Sequence, residues 1–295
     1  MQVLLTGATG YIGSVVAEAL QKAGHKVTGL ARTPEKAKSL EARGMRATLG
    51  DLLKPETVAA AARASDGVIH TANTNDASSA QVDLAVVRAI LTALESTAKP
   101  FVYTSGVWVL GATGDKAADE ETPVNPTPLV ARRPAIEQEV LGYKTHGVRT
   151  IVIRPALVYG RGGSIPAMLT KSALETGAAT FVGDGKNRWP FVNVDDLAQL
   201  YVLALEKAAP GSLYNAANGP SYRVSEVAEA ASFGAGAKGK TQSWPLEEAR
   251  KNMGGFADAL VLDQLISGEK AKKELGWSPR AASVLDDLKT GSYAK

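Results

Sequence analysis

Short apolar runs rich in β-branched residues alternate with segments of helical periodicity through the first half of the chain. The runs predict strands at residues 3–6, 26–31, 46–49, 67–72, 100–104 and 150–154. The segments between them predict helices at about residues 11–23, 34–43, 55–64, 80–97 and 133–146. Strand, helix and strand at this spacing form a crossover connection, so neighbouring strands should run parallel. The pattern therefore predicts an α/β fold with a doubly wound parallel sheet.

The second half of the chain is less regular. Glycine-rich loops interrupt it at residues 160–163 and 183–187, and the helices expected after residue 224 are short. One well-marked helix begins at Asp195 and Asp196, whose carboxylates suit a helix N-terminus. We expect a first domain of residues 1–155, to which residues 186–222 return. Residues 156–185 and 223–295 are expected to form a smaller lobe.

The amino-acid composition and charge of the chain exclude several classes of function. The chain has 295 residues, 45% hydrophobic and 21% charged, with a formal net charge of +3. Its basic residues form no run, so neither a nucleic acid nor a membrane surface is an expected partner. It has no cysteine and three widely separated histidines, so no metal site is expected. The sequence begins in a strand-like run without a signal-peptide pattern, which favours a cytoplasmic protein.

Residues 6–13, with the sequence TGATGYIG, follow the first predicted strand and open the first predicted helix. This is the position and spacing of a dinucleotide-binding fingerprint. Gly7 permits the tight turn, Gly10 lets a pyrophosphate approach the backbone, and Gly13 lets helix and strand pack closely. Free N–H groups at the helix N-terminus favour the anion. The same stretch adds Thr9, Tyr11 and Ile12 as expected cofactor contacts.

The residues after the second predicted strand bear on which dinucleotide binds. An NAD-selective site carries an acidic residue about 20 positions after the fingerprint, whereas this chain has Arg32 there, followed by Thr33 and Lys36. A 2′-phosphate would meet these groups and the next helix N-terminus, so we expect NADP(H); a solvated surface arginine is the alternative. Further expected cofactor contacts follow the third and fourth strands, at Asp51, Leu52, Ala72 and Asn73. Asp51 is equally suited to a structural turn.

Motifs along nearly the whole chain resemble the short-chain dehydrogenase/reductase superfamily, in its extended or atypical, epimerase/dehydratase-like branch. They are residues 6–13, 101–111 (FVYTSGVWVLG), 154–160 (RPALVYG), 189–198 (WPFVNVDDLA) and 274–279 (ELGWSP). The resemblance implies a Rossmann domain, a C-terminal substrate-binding lobe and a pocket between them over the nicotinamide. It also implies that Thr104 and Pro155 contact the cofactor.

The catalytic pair of that superfamily is absent. The pair is a Tyr followed four residues later by a Lys, which places both on one helix face so that the cation lowers the phenol pKa. None of the eight tyrosines has Lys at the fourth following position. The preferred register puts Leu129 and Arg133 in these places, and a shifted register puts Ala131 and Ala135 there. Arg133 can hold the nicotinamide ribose as a permanent cation, or can form an i,i+4 pair with Glu137.

Another proton donor is then needed. In the superfamily a Ser or Thr near this point of the chain bonds the substrate oxygen; on the preferred register that position is Gly106, and Ser105 is one residue away. The candidate donors are Ser105, Tyr159, the substrate and water, although Tyr159 also fits a packed structural role. Trp108 either lines the pocket or packs in the core, and His70 fits a structural role better than a catalytic one.

These observations favour an NADPH-dependent oxidoreductase that reduces a small carbonyl or activated unsaturated substrate. The alternatives are a redox-neutral nucleotide-sugar epimerase or dehydratase, and a non-catalytic NADPH-binding regulator or scaffold. The predicted helix at residues 80–97 carries a wide apolar stripe. A homodimer through this helix and the one at residues 133–146 would explain the stripe, and so would deep burial within one chain.

Overall fold

A seven-stranded parallel sheet forms the centre of the computed structural model, which describes residues 1–76 and 78–295. The strands are β1 (Gln2–Thr6), β2 (Lys26–Ala31), β3 (Arg46–Leu49), β4 (Gly67–His70), β5 (Pro100–Thr104), β6 (Arg149–Pro155), β7 (Leu157–Tyr159), β8 (Ala179–Val182), β9 (Arg188–Trp189), β10 (Phe191–Asn193), β11 (Ser212–Ala216), β12 (Tyr222–Arg223) and β13 (Thr241–Trp244). The central order is β11-β6-β5-β4-β1-β2-β3. The order reverses between β1 and β4, which opens a crevice at the carboxyl ends of these strands.

Helices cover both faces of this sheet. They are α1 (Tyr11–Lys22), α2 (Pro34–Glu41), α3 (Pro55–Arg63), α4 (Ser79–Leu94), α5 (Arg133–Gly142), α6 (Ser164–Thr176), α7 (Val194–Lys207), α8 (Val224–Gly234), α9 (Leu246–Met253), α10 (Gly255–Leu260), α11 (Glu269–Leu275) and α12 (Val284–Thr290). Val3 and Leu5 pack in the core beneath α1 and α7, and the intervening Leu4 packs with α3 and α4 on the other face. The predicted doubly wound α/β fold is confirmed.

Element boundaries differ from the prediction where local hydrogen bonds end a ladder or a helix. The fourth strand stops at His70 rather than residue 72, because Thr71 and Ala72 turn to bond Thr6 through its carbonyl and hydroxyl oxygens. The helix expected at residues 133–146 ends at Gly142 and continues as a 3₁₀ turn over Tyr143–His146. Two further 3₁₀ turns, Val107–Leu110 and Pro128–Val130, flank the cleft described below.

The C-terminal half contributes both to the central sheet and to a separate core. Helix α7 packs against α1, and β11 pairs with β6 at the edge of the sheet. The remaining elements form short strand pairs, β10 with β7, β12 with β9 and β13 with β8, next to helices α6, α8, α9, α10 and α12. Trp189, Phe191 and Val227 lie in the core of this smaller lobe.

The apolar stripe of α4 is accounted for within the chain. Val86, Val87, Ile90, Leu91 and Leu94 are all fully buried, in a core shared with α3 and the sheet. The width of the stripe therefore gives no independent support to a dimer. None of the described helices combines the length and the hydropathy that crossing a membrane requires.

Candidate cofactor and substrate cleft

The glycine loop after β1 is held tightly against the sheet. Gly7 has φ +75°, and a Cβ there would lie 2.8 Å from the Thr71 hydroxyl oxygen and 2.9 Å from the Ala72 nitrogen. A Cβ on Gly13 would lie 2.1 Å from the Gly7 carbonyl oxygen. Only glycine at both positions lets α1 begin directly against the end of β1, as the sequence motif predicts.

Gly10 has a different environment, and it is the one that fits a dinucleotide. It is the N-cap of α1, it is exposed, and no described side chain caps the helix there. A Cβ on Gly10 would meet only the Gly7 carbonyl oxygen, at 3.2 Å. The space beside Gly10 and the uncapped N–H groups of the first turn therefore form an open cradle for an anion.

The neighbours of this cradle hold it in place. Thr9 is exposed, and Ile12 lines the cleft. The Tyr11 hydroxyl donates to the Gly160 carbonyl oxygen at 2.8 Å, which ties α1 to the loop that leads into the smaller lobe. Burial raises the pKa of Tyr11 well above its ordinary value, so the phenol stays protonated and keeps this bond.

Cations lie along the edge next to β2. Arg32, Thr33 and Lys36 are exposed, and the Thr33 hydroxyl caps α2 by accepting the Lys36 N–H at 3.3 Å. Arg43, which the sequence did not single out, donates to the carbonyl oxygens of Ala8 and Ser14 at 3.4 and 3.2 Å. A cation outside the predicted group therefore lies beside the glycine loop.

The contacts predicted after β3 and β4 have mixed surroundings. The Asp51 carboxylate accepts the Leu53 N–H at 3.1 Å, so it shapes the turn before α3, and Leu52 is half-buried. Ala72 and Asn73 line the cleft. The Asn73 side-chain oxygen accepts the Ser79 hydroxyl at 2.6 Å, which fixes the loop to the start of α4.

A hydrogen-bonded cluster lies buried beneath the cleft. His70 contacts the Thr6 hydroxyl through Nδ1 at 2.8 Å and the Asp83 carboxylate through Nε2 at 3.2 Å. The Tyr103 hydroxyl donates to the other Asp83 oxygen at 2.8 Å. Burial alone would raise the pKa of Asp83, but the bonds from His70 and Tyr103 and the nearby charge of Arg133 hold it below its usual value. Both nitrogens of His70 are therefore engaged, which agrees with its structural interpretation.

The cleft has a volume of about 670 Å³ and lies between the carboxyl edge of the sheet and the smaller lobe. Thr104, Ser105 and Pro155 form part of its floor. The Thr104 hydroxyl is within 2.7 Å of the Tyr201 hydroxyl. Trp108, Leu129, Ile165 and Phe256 form an apolar wall, and the Trp108 and Phe256 rings meet edge to face at 5.9 Å between centroids.

The two registers that the superfamily resemblance allows for the catalytic pair place their residues differently relative to this cleft. Leu129 lies in the 3₁₀ turn before α5 and is 37% exposed, and Arg133 begins α5; both line the cleft. Ala131 and Ala135, the residues of the shifted register, are exposed outside it. The geometry therefore favours the register that pairs Leu129 with Arg133.

Arg133 makes no surface pair with Glu137. Glu137 is buried and accepts the Arg154 Nε–H at 3.0 Å. The Arg133 Nη1 atom instead lies beside Gly106, where a Cβ would come within 3.4 Å of it. The guanidinium therefore lies next to the position where the superfamily resemblance expects the substrate-binding serine.

Ser105 and Tyr159 differ in their surroundings. The Ser105 hydroxyl is buried and has no hydrogen-bond partner among the described residues, although the residue lines the cleft. The Tyr159 hydroxyl donates to the Ala282 carbonyl oxygen at 2.6 Å, and Tyr159 does not line the cleft. Burial raises the pKa of the Tyr159 phenol above its ordinary value. Tyr159 thus has the packed role, and Ser105 keeps a free hydroxyl at the site.

The sequence model of the NAD dependent epimerase/dehydratase family matches residues 3–217. The chain belongs to this family. An uncharacterised protein of Schizosaccharomyces pombe is 34% identical, and the alignment covers 99% of this chain and 100% of the yeast protein. A 2-alkyl-3-oxoalkanoate reductase of Stenotrophomonas maltophilia is 27% identical, and the alignment covers 76% of this chain and 70% of the reductase. The crystal structure of Thermus thermophilus UDP-glucose 4-epimerase with NAD shares the fold, with a TM-score of 0.82, 23% identity and 99% coverage of both chains.

In this epimerase/dehydratase-family chain, sequence reasoning missed several groups at the site. Arg132, Asp83 and Phe256 all line the cleft but belong to no motif. Arg132 stands next to Arg133, so the double arginine was the one available signal. Among the described residues there is no cluster of three His, Asp or Glu side chains that could hold a metal ion.

Proposed function

We propose that this protein is an NADPH-dependent reductase of a small carbonyl or activated unsaturated compound. One observation carries the proposal: Ile12, in the first turn of α1 and two residues after the cradle at Gly10, lines the cleft together with Ser105 and Arg133. A dinucleotide seated at the cradle thus has a substrate-sized space beside it. The reductase name of the Stenotrophomonas relative agrees with this activity.

The residues present fit NADPH along its whole length. The first-turn N–H groups at Gly10 would hold the pyrophosphate, and the Arg32 and Lys36 charges would hold a 2′-phosphate. Asp51 and Leu52 would border the adenine. Ala72, Asn73, Thr104 and Pro155 would border the nicotinamide end. When bound, NADPH supplies the hydride.

The chain's own contribution to reduction is electrostatic. The Arg133 guanidinium lies beside Gly106 and is permanently charged, so it stabilises negative charge on a carbonyl oxygen in that corner of the cleft. One such donor is typically worth about 10²–10³ in rate. Arg133 cannot release a proton at neutral pH, and Leu129 has none to give. The remaining donor on this chain is the Ser105 hydroxyl, which would give its proton to the carbonyl oxygen and regain one from water, or would hold a water molecule that gives the proton directly.

The lack of a proton donor at Leu129 also supports a second function. Replacement of the family tyrosine by Leu129, with the cradle retained, fits an NADPH-binding regulator that performs no chemistry. Epimerisation or dehydration is less well supported, because both need a base or acid where Leu129 stands. Turnover separates these functions: a reductase consumes NADPH, an epimerase or dehydratase converts substrate with no net change in the cofactor, and a regulator does neither.

The cofactor assignment is tested by Arg32→Glu. We expect NADPH to bind at least 10-fold more weakly, about 1.4 kcal/mol, while NADH affinity changes less than threefold. Fluorescence titration of each nucleotide measures both constants. Arg63→Glu, an equal charge change at the exposed end of α3, should leave both unchanged. Equal losses of NADPH and NADH in Arg32→Glu would refute the NADP assignment.

A further inference from the structure

Two adjacent arginines, Arg132 and Arg133, line the cleft without a direct ion pair to a described residue. Arg132 donates to the Ser79 hydroxyl at 2.8 Å and to the Leu129 carbonyl oxygen at 3.2 Å, which are both neutral acceptors. Neither Arg132 nor Arg133 has a described carboxylate within 4.0 Å, and the Nε–H of each is buried without a partner. A half-buried guanidinium without an ion pair is costly, so an anion bound in the cleft would stabilise Arg132.

The acidic residues of the cleft are already engaged elsewhere. Asp83 accepts hydrogen bonds from His70 and Tyr103. Asp76 accepts the Ser78 N–H and hydroxyl, at 2.8 and 2.6 Å, in an exposed turn at the rim. Asp83 interacts with Arg133 only at longer range, where the arginine charge helps to lower the Asp83 pKa, so the charge of Arg132 remains available to a ligand in the cleft.

The surroundings of these arginines describe the rest of the ligand. Trp108, Leu129, Ile165 and Phe256 present an apolar wall in the same cleft. Ser105, which is 4% exposed and has no partner for its hydroxyl, offers a neutral donor on the floor. The cleft thus combines a cationic side, one free hydroxyl and an apolar wall, which suits a molecule with an anionic end and an apolar body.

We propose that Arg132 binds a carboxylate of the substrate, so that the substrate class is carbonyl compounds with a carboxylate and an apolar body. This inference rests on the proposed reductase function and names its substrate class. Arg133 faces Gly106 and serves the carbonyl oxygen, whereas Arg132 is anchored to Ser79 and Leu129 and serves the carboxylate. Arg132 is then a residue that determines specificity, and a planar guanidinium matches a carboxylate with two parallel hydrogen bonds.

The experiment compares two probes that differ only in charge, 3-phenylpropanoate and 3-phenylpropanamide, by calorimetric titration of the full-length protein with NADP⁺ present. We expect the wild type to bind the acid at least 10-fold more tightly than the amide. Arg132→Gln should lower affinity for the acid at least 10-fold and leave the affinities for the amide and NADP⁺ unchanged. Arg132→Lys keeps the charge and should keep a preference for the acid. Arg63→Gln serves as the control for loss of a distant positive charge.

Equal binding of acid and amide by the wild type would overturn the proposal. Loss of NADP⁺ affinity in Arg132→Gln would also overturn it, because the arginine would then serve a phosphate of the cofactor. If Arg132→Gln loses both probes through misfolding, the Lys variant decides: no preference for the acid refutes the charge argument. The titration needs no turnover, so a failure of the reductase proposal appears separately, as absence of NADPH consumption.

Discussion

Adding one methyl group at Gly13 or at Gly10 should separate the folding role of the glycine loop from its binding role. At Gly13 the new Cβ would lie 2.1 Å from the Gly7 carbonyl oxygen and 2.7 Å from its carbon. Backbone atoms cannot rotate away, so α1 must move from the end of β1. Overpacking costs about 1–3 kcal/mol, and contact with backbone puts Gly13→Ala at the upper end. A loss of about 3 kcal/mol lowers the Tm by about 6–12 °C in a chain of this size.

Gly10→Ala should behave in the opposite way. Its Cβ meets one atom, the Gly7 carbonyl oxygen at 3.2 Å, and its φ of −78° suits alanine. We expect a Tm within about 2 °C of the wild type, because the loss of the Gly preference at an N-cap is offset by the smaller conformational freedom of alanine in the unfolded chain. The methyl group occupies the space proposed for the pyrophosphate, so NADPH should bind at least 10-fold more weakly, about 1.4 kcal/mol.

Thermal unfolding followed by circular dichroism and fluorescence titration of NADPH measure the two effects. Gly142→Ala is a matched control, because this glycine lies at the end of α5 with φ −63° and has no atom within 4 Å of the added Cβ. It should raise stability by about 0.5–1 kcal/mol and leave NADPH affinity unchanged. Wild-type NADPH affinity in Gly10→Ala, or a wild-type Tm in Gly13→Ala, would refute the reasoning.

Three other substitutions test the buried polar groups. Glu137→Gln leaves the buried guanidinium of Arg154 without its counter-charge and should cost about 3–5 kcal/mol in urea unfolding, whereas Glu139→Gln, at an exposed ion pair, should cost at most about 1 kcal/mol. Ser105→Ala removes an unpartnered hydroxyl, so stability should change by less than about 1 kcal/mol while kcat for NADPH consumption falls at least 10-fold. The pKa of Asp83 in the folded state is below its ordinary value of 3.8, so its contribution to the free energy of unfolding is present at neutral pH and is lost as the pH falls below about 4. Asp83→Asn should remove this contribution at pH 7 and make the free energy of unfolding less dependent on pH in acid.

Each of these expectations has a clear contrary result. Equal costs for Glu137→Gln and Glu139→Gln would mean that burial does not govern the ion pairs. An unchanged kcat in Ser105→Ala would leave water as the proton source. An Asp83→Asn variant with wild-type stability at pH 7 would show that the His70 and Tyr103 bonds contribute nothing net.

The sheet and its helices followed from the sequence because parallel strands are buried on both faces and read as apolar runs. Phe101, Val102 and Tyr103 illustrate this, since all are buried although they alternate between faces of β5. The residues at which strands and helices end could not be predicted from this pattern. Whether β4 stopped at His70 depended on two bonds to Thr6, which is 64 residues away from His70 in the chain.

The same distinction applies to the site. The glycine loop is a local motif, so its positions and its contacts with the first helix were predictable from spacing. The surroundings of Tyr159 depend on Ala282, which is 123 residues later, and those of Arg132 depend on Ser79, which is 53 residues earlier. Contacts at these separations are made by the tertiary fold and have no periodic signal in the sequence.

The most direct test of the account is NADPH absorbance at 340 nm with the purified protein and a panel of aldehydes, ketones, quinones, enones and oxo-acids, with NADH in parallel. We expect consumption of NADPH in step with formation of the reduced product, slower consumption of NADH, and the fastest rates with substrates that carry a carboxylate. If NADPH binds but is not consumed with any member of the panel, the reductase assignment is contradicted, and the cofactor-binding regulator and the redox-neutral enzyme remain.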